Sequence, residues 1–348
     1  MNKYGKSKNK KGWPIVVMDI LLIGVALVVF SLFHHVLPRE AQGPSGTVGT
    51  ITIPKPTAAN TPVNTLAPGE TPGPDQTPQP ENQGQFGAKF ADKFSQDGTV
   101  THTENLYRSR DISIEISTRT TRVDKGNVVY HVADIYIRNT ENFKTRLAND
   151  KFGQGFTEDV RKLTCESGGI IGLSGDMSSK TRGGIVIRNG VIYQEKPYRD
   201  VCVLYYDGTM VTYFEKDFNM EYAKSNGAYQ AWDFGPRLLD DNGEALTEFN
   251  SRVTTYNPRS VIGYFEPGHY CFVTIDGRQS ASVGMTMQQT AQLMHDLGCR
   301  AAFNLDGGQS AVMSHNNGDG NWENDFVNSP SGGGRKLSDI LYIAEAGA

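Results

Sequence analysis

The stretch from Tyr270 to Ser310 restricts the fold more than any other part of this chain. Tyr270 to Ile275 is a β-rich apolar run, and Met287, Ala291, Met294 and Leu297 recur near helical spacing. Thr286 and Gln289 fit a capping box at the start of that helix, and Gly298 fits a stop after it. Arg300 to Leu305 then reads as a second strand. Strand, helix and strand in this order predict a parallel pair joined by a right-handed crossover. Asp276 and Asp306, each following its strand, then fall at one edge of a sheet. Ligands of open α/β sheets collect beyond the carboxyl ends of strands, and Gly277 and Gly307 let a substrate come close to the backbone.

Upstream, the pattern is one of hairpins. Ile112 to Ile116 alternates as a strand, Val128 to Ile137 reads as another, and Gly169 to Leu173 as a short buried one. Ile185 to Tyr193 contains Asn189-Gly190 and Val201 to Phe214 contains Asp207-Gly208, dipeptides suited to the positive φ angles of a type I′ turn. The expected class is α+β, with mixed β-sheets, antiparallel hairpins, a C-terminal parallel strand-helix-strand unit and one domain over 100–348.

The N-terminal third differs in kind. Lys3, Lys6, Lys8, Lys10 and Lys11 form a basic tail over 1–14, ahead of an apolar stretch over 15–37. At about 1.5 Å per residue that stretch crosses the roughly 30 Å hydrocarbon layer. The lysines belong on the cytoplasmic side, so the expectation is a single-pass transmembrane signal anchor in the cell membrane with the domain outside. A cleavable signal peptide shares the basic start, but its apolar run is shorter and no small-x-small site stands near Arg39 to Gln42. Residues 38–99 follow as a Pro/Thr-rich stretch. Ten of the sixteen prolines fall between Pro38 and Gln85, so this region reads as a disordered, semi-extended linker.

Composition excludes little. A net charge of −4 gives no support for nucleic-acid binding, which shows as a basic domain. Cys165, Cys202, Cys271 and Cys299 contain no CxxC spacing, so a zinc site is not expected and no cofactor is implied. An outside location permits disulfides, while Cys202 and Cys271 lie in strand-like runs where a buried thiol fits equally well. Asp319, Asn321, Glu323 and Asp325 alternate oxygen-bearing side chains as a calcium loop does, but the EF-hand spacing fails, so a solvated or substrate-rim loop is expected ahead of a calcium site.

Six short blocks remain: Ile171-Gly172-Leu173-Ser174-Gly175-Asp176, Asn257-Pro258-Arg259-Ser260-Val261-Ile262-Gly263, Asp276-Gly277-Arg278, Ser282-Val283-Gly284-Met285-Thr286, Asn304-Leu305-Asp306-Gly307-Gly308-Gln309-Ser310, and Asn328-Ser329-Pro330 through Arg335. In this order they resemble the phosphodiester glycosidase family. Departures lie at Ser174-Gly175, where the family often has Asn-Gly, at Gln309 in place of a glycine-rich continuation, and at Met177 and Ser178 in place of an aromatic pair.

The resemblance implies cleavage of a sugar C1–O–phosphate bond in a sugar-1-phosphodiester, such as an N-acetylhexosamine on a cell-surface glycan or polymer. A phosphate leaving group is weakly basic, so charge management matters more than a strong general acid. Arginine suits the phosphate because its planar fork makes bidentate, charge-assisted bonds, and Arg259 and Arg278 are the candidates. Asp176, Asp276 and Asp306 are the carboxylates suited to stabilising an oxocarbenium-like centre or activating water. Ser174, Gly175, Asn304, Gly307, Gly308, Ser310, Asn328 and Arg335 complete the expected substrate and phosphate contacts. Against these stand plain alternatives: Asp276-Gly277-Arg278 as a turn with a local ion pair, Asp306 as the holder of a tight turn, and His269 as a strand-edge histidine. A module of the same fold that binds glycan without hydrolysis is the rival function. The oligomeric state is left open.

Overall fold

The computed structural model describes residues 13–31, 39–40, 49–50, 84–177 and 183–347. A seven-stranded sheet dominates, in the order β17 (Ala301–Asn304), β15 (Arg259–Glu266), β16 (His269–Ile275), β6 (Gly126–Ile137), β5 (Ile112–Val123), β4 (Leu106–Arg108) and β3 (Thr101–His102). A six-stranded sheet runs β13 (Met210–Tyr213), β12 (Val201–Tyr205), β14 (Ala228–Asp233), β10 (Gly184–Arg188), β11 (Val191–Lys196) and β2 (Gly49–Thr50). A four-stranded sheet runs β18 (Met313–His315), β9 (Gly169–Ser174), β19 (Asp339–Ala344) and β7 (Phe143–Leu147), and β1 (Arg39–Glu40) pairs with β8 (Gly153–Gln154). Among the described residues the α-helices are α1 (Trp13–Ser31), α2 (Val160–Glu166), α3 (Met220–Ser225) and α4 (Met287–Asp296).

Alternation along the strands builds two cores on either side of the large sheet. Ile262 and Phe272 face one way, into a cluster with Phe143, Leu173, Trp232 and Leu341 from the other sheets. Their neighbours Val261 and Val273 face the other way, onto Met287, Ala291 and Met294 of α4. The capping box at Thr286 and Gln289 is present on both sides, and Gly298 ends the helix at φ +87°.

The expected parallel pair is corrected. Every strand pairing described is antiparallel, and β15 lies hydrogen-bonded between β16 and β17. Its hairpin with β16 turns at Pro267-Gly268, close enough in sequence to claim β16 before the chain returns from α4. Because β15 opposes both neighbours, β16 and β17 still run in the same direction and end at the same edge. The two turns also separate: Asn189 and Gly190 both have positive φ, as type I′ requires, whereas at Asp207-Gly208 only the glycine does, in a longer loop from Tyr206 to Thr209.

The folded region begins earlier than Val100. Phe86, Phe90 and Phe94 are buried, with Tyr136 packed against them, and the Phe86 amide bonds the Arg138 carbonyl. Aromatic residues four apart were the signal, masked by the proline-rich composition before them. Within the expected linker, β1 and β2 also pair with β8 and β11. Among the described residues no helix is long and apolar enough to cross a membrane, so the span expected over 15–37 is not borne out there, and residues 32–37 of it lie outside the described residues. The basic residues 1–12 lie outside the described residues. All four cysteines are free thiols, with the buried Cys271 and Cys299 sulfurs 3.8 Å apart.

Candidate functional site

The ends of β16 and β17 and the start of β15 share one edge of the large sheet, since Arg259 stands opposite Ile275 and Val261 opposite Asn304. A cavity of about 700 Å³ opens there. Five arginines line it, Arg199, Arg252, Arg259, Arg278 and Arg335, against two carboxylates, Glu215 and Asp306. Gly307 lines it, while Gly284 packs outside the lining. A Cβ added at Gly307 would meet the Pro258 carbonyl oxygen at 2.6 Å, and one at Gly284 the Asn257 carbonyl oxygen at 2.5 Å, so only glycine lets these turns touch.

Asp306 is the carboxylate that reaches this cavity from the sheet. Its Oδ2 accepts from Ser310 Oγ at 2.7 Å and from Arg335 Nη2 at 2.6 Å, while Oδ1 has no partner among the described residues. Ser310 is fully buried and also accepts from Arg335 Nε at 2.5 Å, so it braces the Asp306–Arg335 pair. The Asp306 amide donates to the Gly175 carbonyl at 3.1 Å. Ser174 lies beneath, fully buried, with its hydroxyl 2.7 Å from that of Ser260. Asn304 lines the cavity and donates to the Gly235 and Leu305 carbonyls; its Oδ1 is buried without a partner. An orphaned buried acceptor of this kind suits a ligand hydroxyl.

The two expected phosphate arginines differ. Arg259 is buried and donates to three carbonyls, Met285 at 3.2 Å, Val253 at 2.9 Å and Thr255 at 2.6 Å, so much of its fork holds the 253–255 loop. Burial and the Arg278 charge lower its pKa to about 10, which leaves it protonated at neutral pH. Among the described residues Arg278 makes one bond, to Asn257 Oδ1 at 2.7 Å, and its guanidinium lies against Gly308. Its φ is +58°, and Met177, whose sulfur touches Arg335, has φ +63°. Left-handed backbone at two bulky residues costs on the order of 1–3 kcal/mol each and tends to gather at functional sites.

Asp276 and Asp176 stand elsewhere. Asp276 is buried outside the cavity lining, where Asn328 Nδ2 donates to Oδ1 at 2.9 Å and the Ser329 amide to Oδ2 at 3.2 Å. His131 Nε2 lies 3.3 Å from the same Oδ2. Asn328 therefore anchors Asp276 and the Ala311 carbonyl instead of meeting the cavity. Asp176 is fully buried and pairs with Arg188 Nη2 at 2.7 Å, the same nitrogen that meets Asp339 Oδ2 at 2.8 Å. Desolvation raises the pKa of Asp176 and pushes Asp339 up to about 7.

Sequence reasoning missed Arg188, Asp339, Glu215, Arg199 and Arg252. Arg199 is set by Asp233, whose Oδ1 accepts its amide at 2.9 Å while Oδ2 accepts that of Tyr198 at 2.8 Å. Burial pushes Asp233 up to about 6. His269 is stacked between Tyr136 and Phe265, away from the cleft, as a strand-edge histidine should be. In the 316–325 loop, Asn316, Asn317 and Asp319 bond nearby amides, and no group of metal ligands occurs among the described residues.

The model of the phosphodiester glycosidase family matches residues 167–344. The SPbeta prophage-derived uncharacterized protein YomE of Bacillus subtilis (strain 168) is 28% identical over 203 residues, which cover 56% of this chain and 30% of that protein. This chain thus spans under a third of that relative's length. Among solved structures, the catalytic domain of zebrafish N-acetylglucosamine-1-phosphodiester alpha-N-acetylglucosaminidase, auto-inhibited by its pro-peptide, aligns with a TM-score of 0.53 at 19% identity, covering 71% of this chain and 88% of that one. A hypothetical protein from Synechocystis aligns with a TM-score of 0.50 at 12% identity, over 68% of this chain and 62% of that one.

Proposed function

The chain belongs to the phosphodiester glycosidase family, and from that premise we propose that it hydrolyses the C1–O bond of a sugar-1-phosphodiester in the arginine-lined cleft. The observation that supports this most is the meeting of Asp306 with surplus guanidinium charge in one cavity. Water forms the new bond to C1, the C1–O bond breaks, and the electron pair leaves with the phosphate. Cationic groups at the cleft stabilise that departing charge. Arg278 is suited to meet the phosphate, since a single hydrogen bond occupies its fork, and Arg259 contributes charge while it positions the loop. Asp306, with Oδ1 unpartnered, is suited to stabilise positive charge at C1 or to take a proton from water.

Incubation of the full chain with methyl N-acetylglucosaminyl phosphodiester in H₂¹⁸O tests this. Release of sugar carrying the label at C1, lost in Asp306→Asn, is the expected result; label on the phosphate overturns C1 cleavage. A second reading, glycan binding without turnover, draws on the withdrawal of Asp176 and Asp276 from the cavity. Binding of the unlabelled diester with no release of sugar by the native chain selects it.

We further propose an extracellular, membrane-anchored domain. The lysines ahead of α1 and the uncovered apolar side chains along it, such as Ile20, Leu21 and Leu27, support this. Protease treatment of intact cells checks it: digestion of the domain is expected, and full protection overturns it.

A further inference from the structure

A phosphodiester carries one negative charge, and the cleft holds more positive charge than one such group balances. Its five arginines and two carboxylates leave a net of +3, five minus two, in a chain whose overall net charge is −4. Arg335 is paired with Asp306. No ion pair forms at Arg199, Arg252, Arg259 or Arg278 among the described residues, although carboxylates outnumber basic groups over the whole chain. Like charges gathered around one cavity repel one another, so such a cluster calls for anions.

Of the four unpaired cations, Arg259 and Arg278 are neighbours, and the other two come from separate segments. Arg259 and Arg278 stand at the sheet edge beside Gly307 and Gly308 and sense each other's charge. Arg199 and Arg252 come from two other segments. Arg199 is held by Asp233 ahead of β12, with its guanidinium 5.3 Å from the Phe234 ring, and Arg252 sits in the exposed loop whose Val253 carbonyl Arg259 grips. At about 700 Å³ the cavity has the size of sites that enclose drug-sized ligands, which exceeds a single sugar.

We propose that the cleft is built for a substrate bearing at least two phosphate charges, with Arg259 and Arg278 at the phosphate of the broken bond and Arg199 and Arg252 at the next one. This rests on the glycosidase reading above and narrows its substrate class to sugar diphosphates or chains of sugar phosphodiester repeats. Arg199 and Arg252 act on specificity, outside the bond-breaking step.

The test uses the full chain and three probes: methyl N-acetylglucosaminyl phosphodiester, UDP-N-acetylglucosamine, and a synthetic trimer of sugar phosphodiester repeats. Binding by calorimetry and sugar release are both measured, at low and high salt. A preference of about tenfold or more for a multi-phosphate probe over the methyl diester is expected, with a steeper loss in salt. Arg199→Gln and Arg252→Gln should each cut that preference about threefold, with melting temperatures checked to confirm folding. Preference for the trimer alone identifies a polymer, and for UDP-N-acetylglucosamine alone a diphosphate. Equal affinity for all three probes, or variants that weaken all three alike, overturns the inference while leaving hydrolysis standing. Preferential binding without sugar release keeps the inference and removes the hydrolysis. Failure of all three to bind removes both.

Discussion

Of the arginine–aspartate groupings in this domain, one sealed and one open cluster use the same chemistry to opposite ends. In the sealed one, Arg188 is shared by Asp176 and Asp339, all three side chains at most 2% exposed. In the open one, Asp306 and Glu215 face five arginines around a cavity. The sealed cluster carries excess negative charge and accommodates it by favouring the neutral carboxyl. The open cluster carries excess positive charge and retains it, since guanidinium groups do not give up protons near neutral pH. Surplus that a protein can neutralise internally belongs to the fold, whereas surplus it cannot neutralise is available to a ligand.

The sharpest way to break this contrast is Arg188→Met. Two carboxylates would lose their buried partner, and unfolding free energy should fall by about 3–5 kcal/mol, read from urea denaturation. Full stability combined with lost turnover would move Arg188 into the functional site. Asp306→Asn should do the reverse, lowering sugar release by about 10²–10⁴-fold with only a modest change in the urea midpoint.

Burial, then the Asp176 charge, raises Asp339 to about 7 in the folded chain, above the roughly 3.9 of an unfolded aspartate. The stability from this group is complete below about pH 4 and is lost as pH rises through about 7. Unfolding free energy should therefore decline across that window, on the order of 1 kcal/mol per pH unit at most, and Asp339→Asn should flatten the profile. Denaturation curves at pH 5 and pH 8 check it. The smallest effect is expected from Ser310→Ala, which frees Asp306 Oδ2 of one donor: about 1 kcal/mol of stability and a several-fold drop in turnover.

The same contrast explains what the sequence made legible. The capping box at Thr286, the strands on either side of α4 and the convergence of Asp276 and Asp306 on one edge follow from local patterns, and the structure has them. The pairing of β16 with β17 failed because β15, read as a motif block, is also a strand that inserts between them. Asp176 and Asp306 each follow a short strand, and nothing local tells them apart. Asp176 is claimed by Arg188, and Asp306 by Arg335, contacts set by sheet packing. Arg199 and Arg252 lie in loops with no period at all, so only the cavity reveals them. Phe86, Phe90 and Phe94 were readable at a spacing of four, but their neighbourhood spoke for disorder.

The tight main-chain contacts at Gly307 on the cleft lining, and at Gly284 behind it, leave no room for a side chain at this sheet edge. Any side chain added there collides with a carbonyl oxygen, so the point where the turns meet cannot drift without losing the fold. The rim differs, since Arg199 and Arg252 stand in loops, Arg252 exposed and Arg199 partly so. Descendants of such a scaffold would diversify in what they grip while continuing to work at an unchanged anvil.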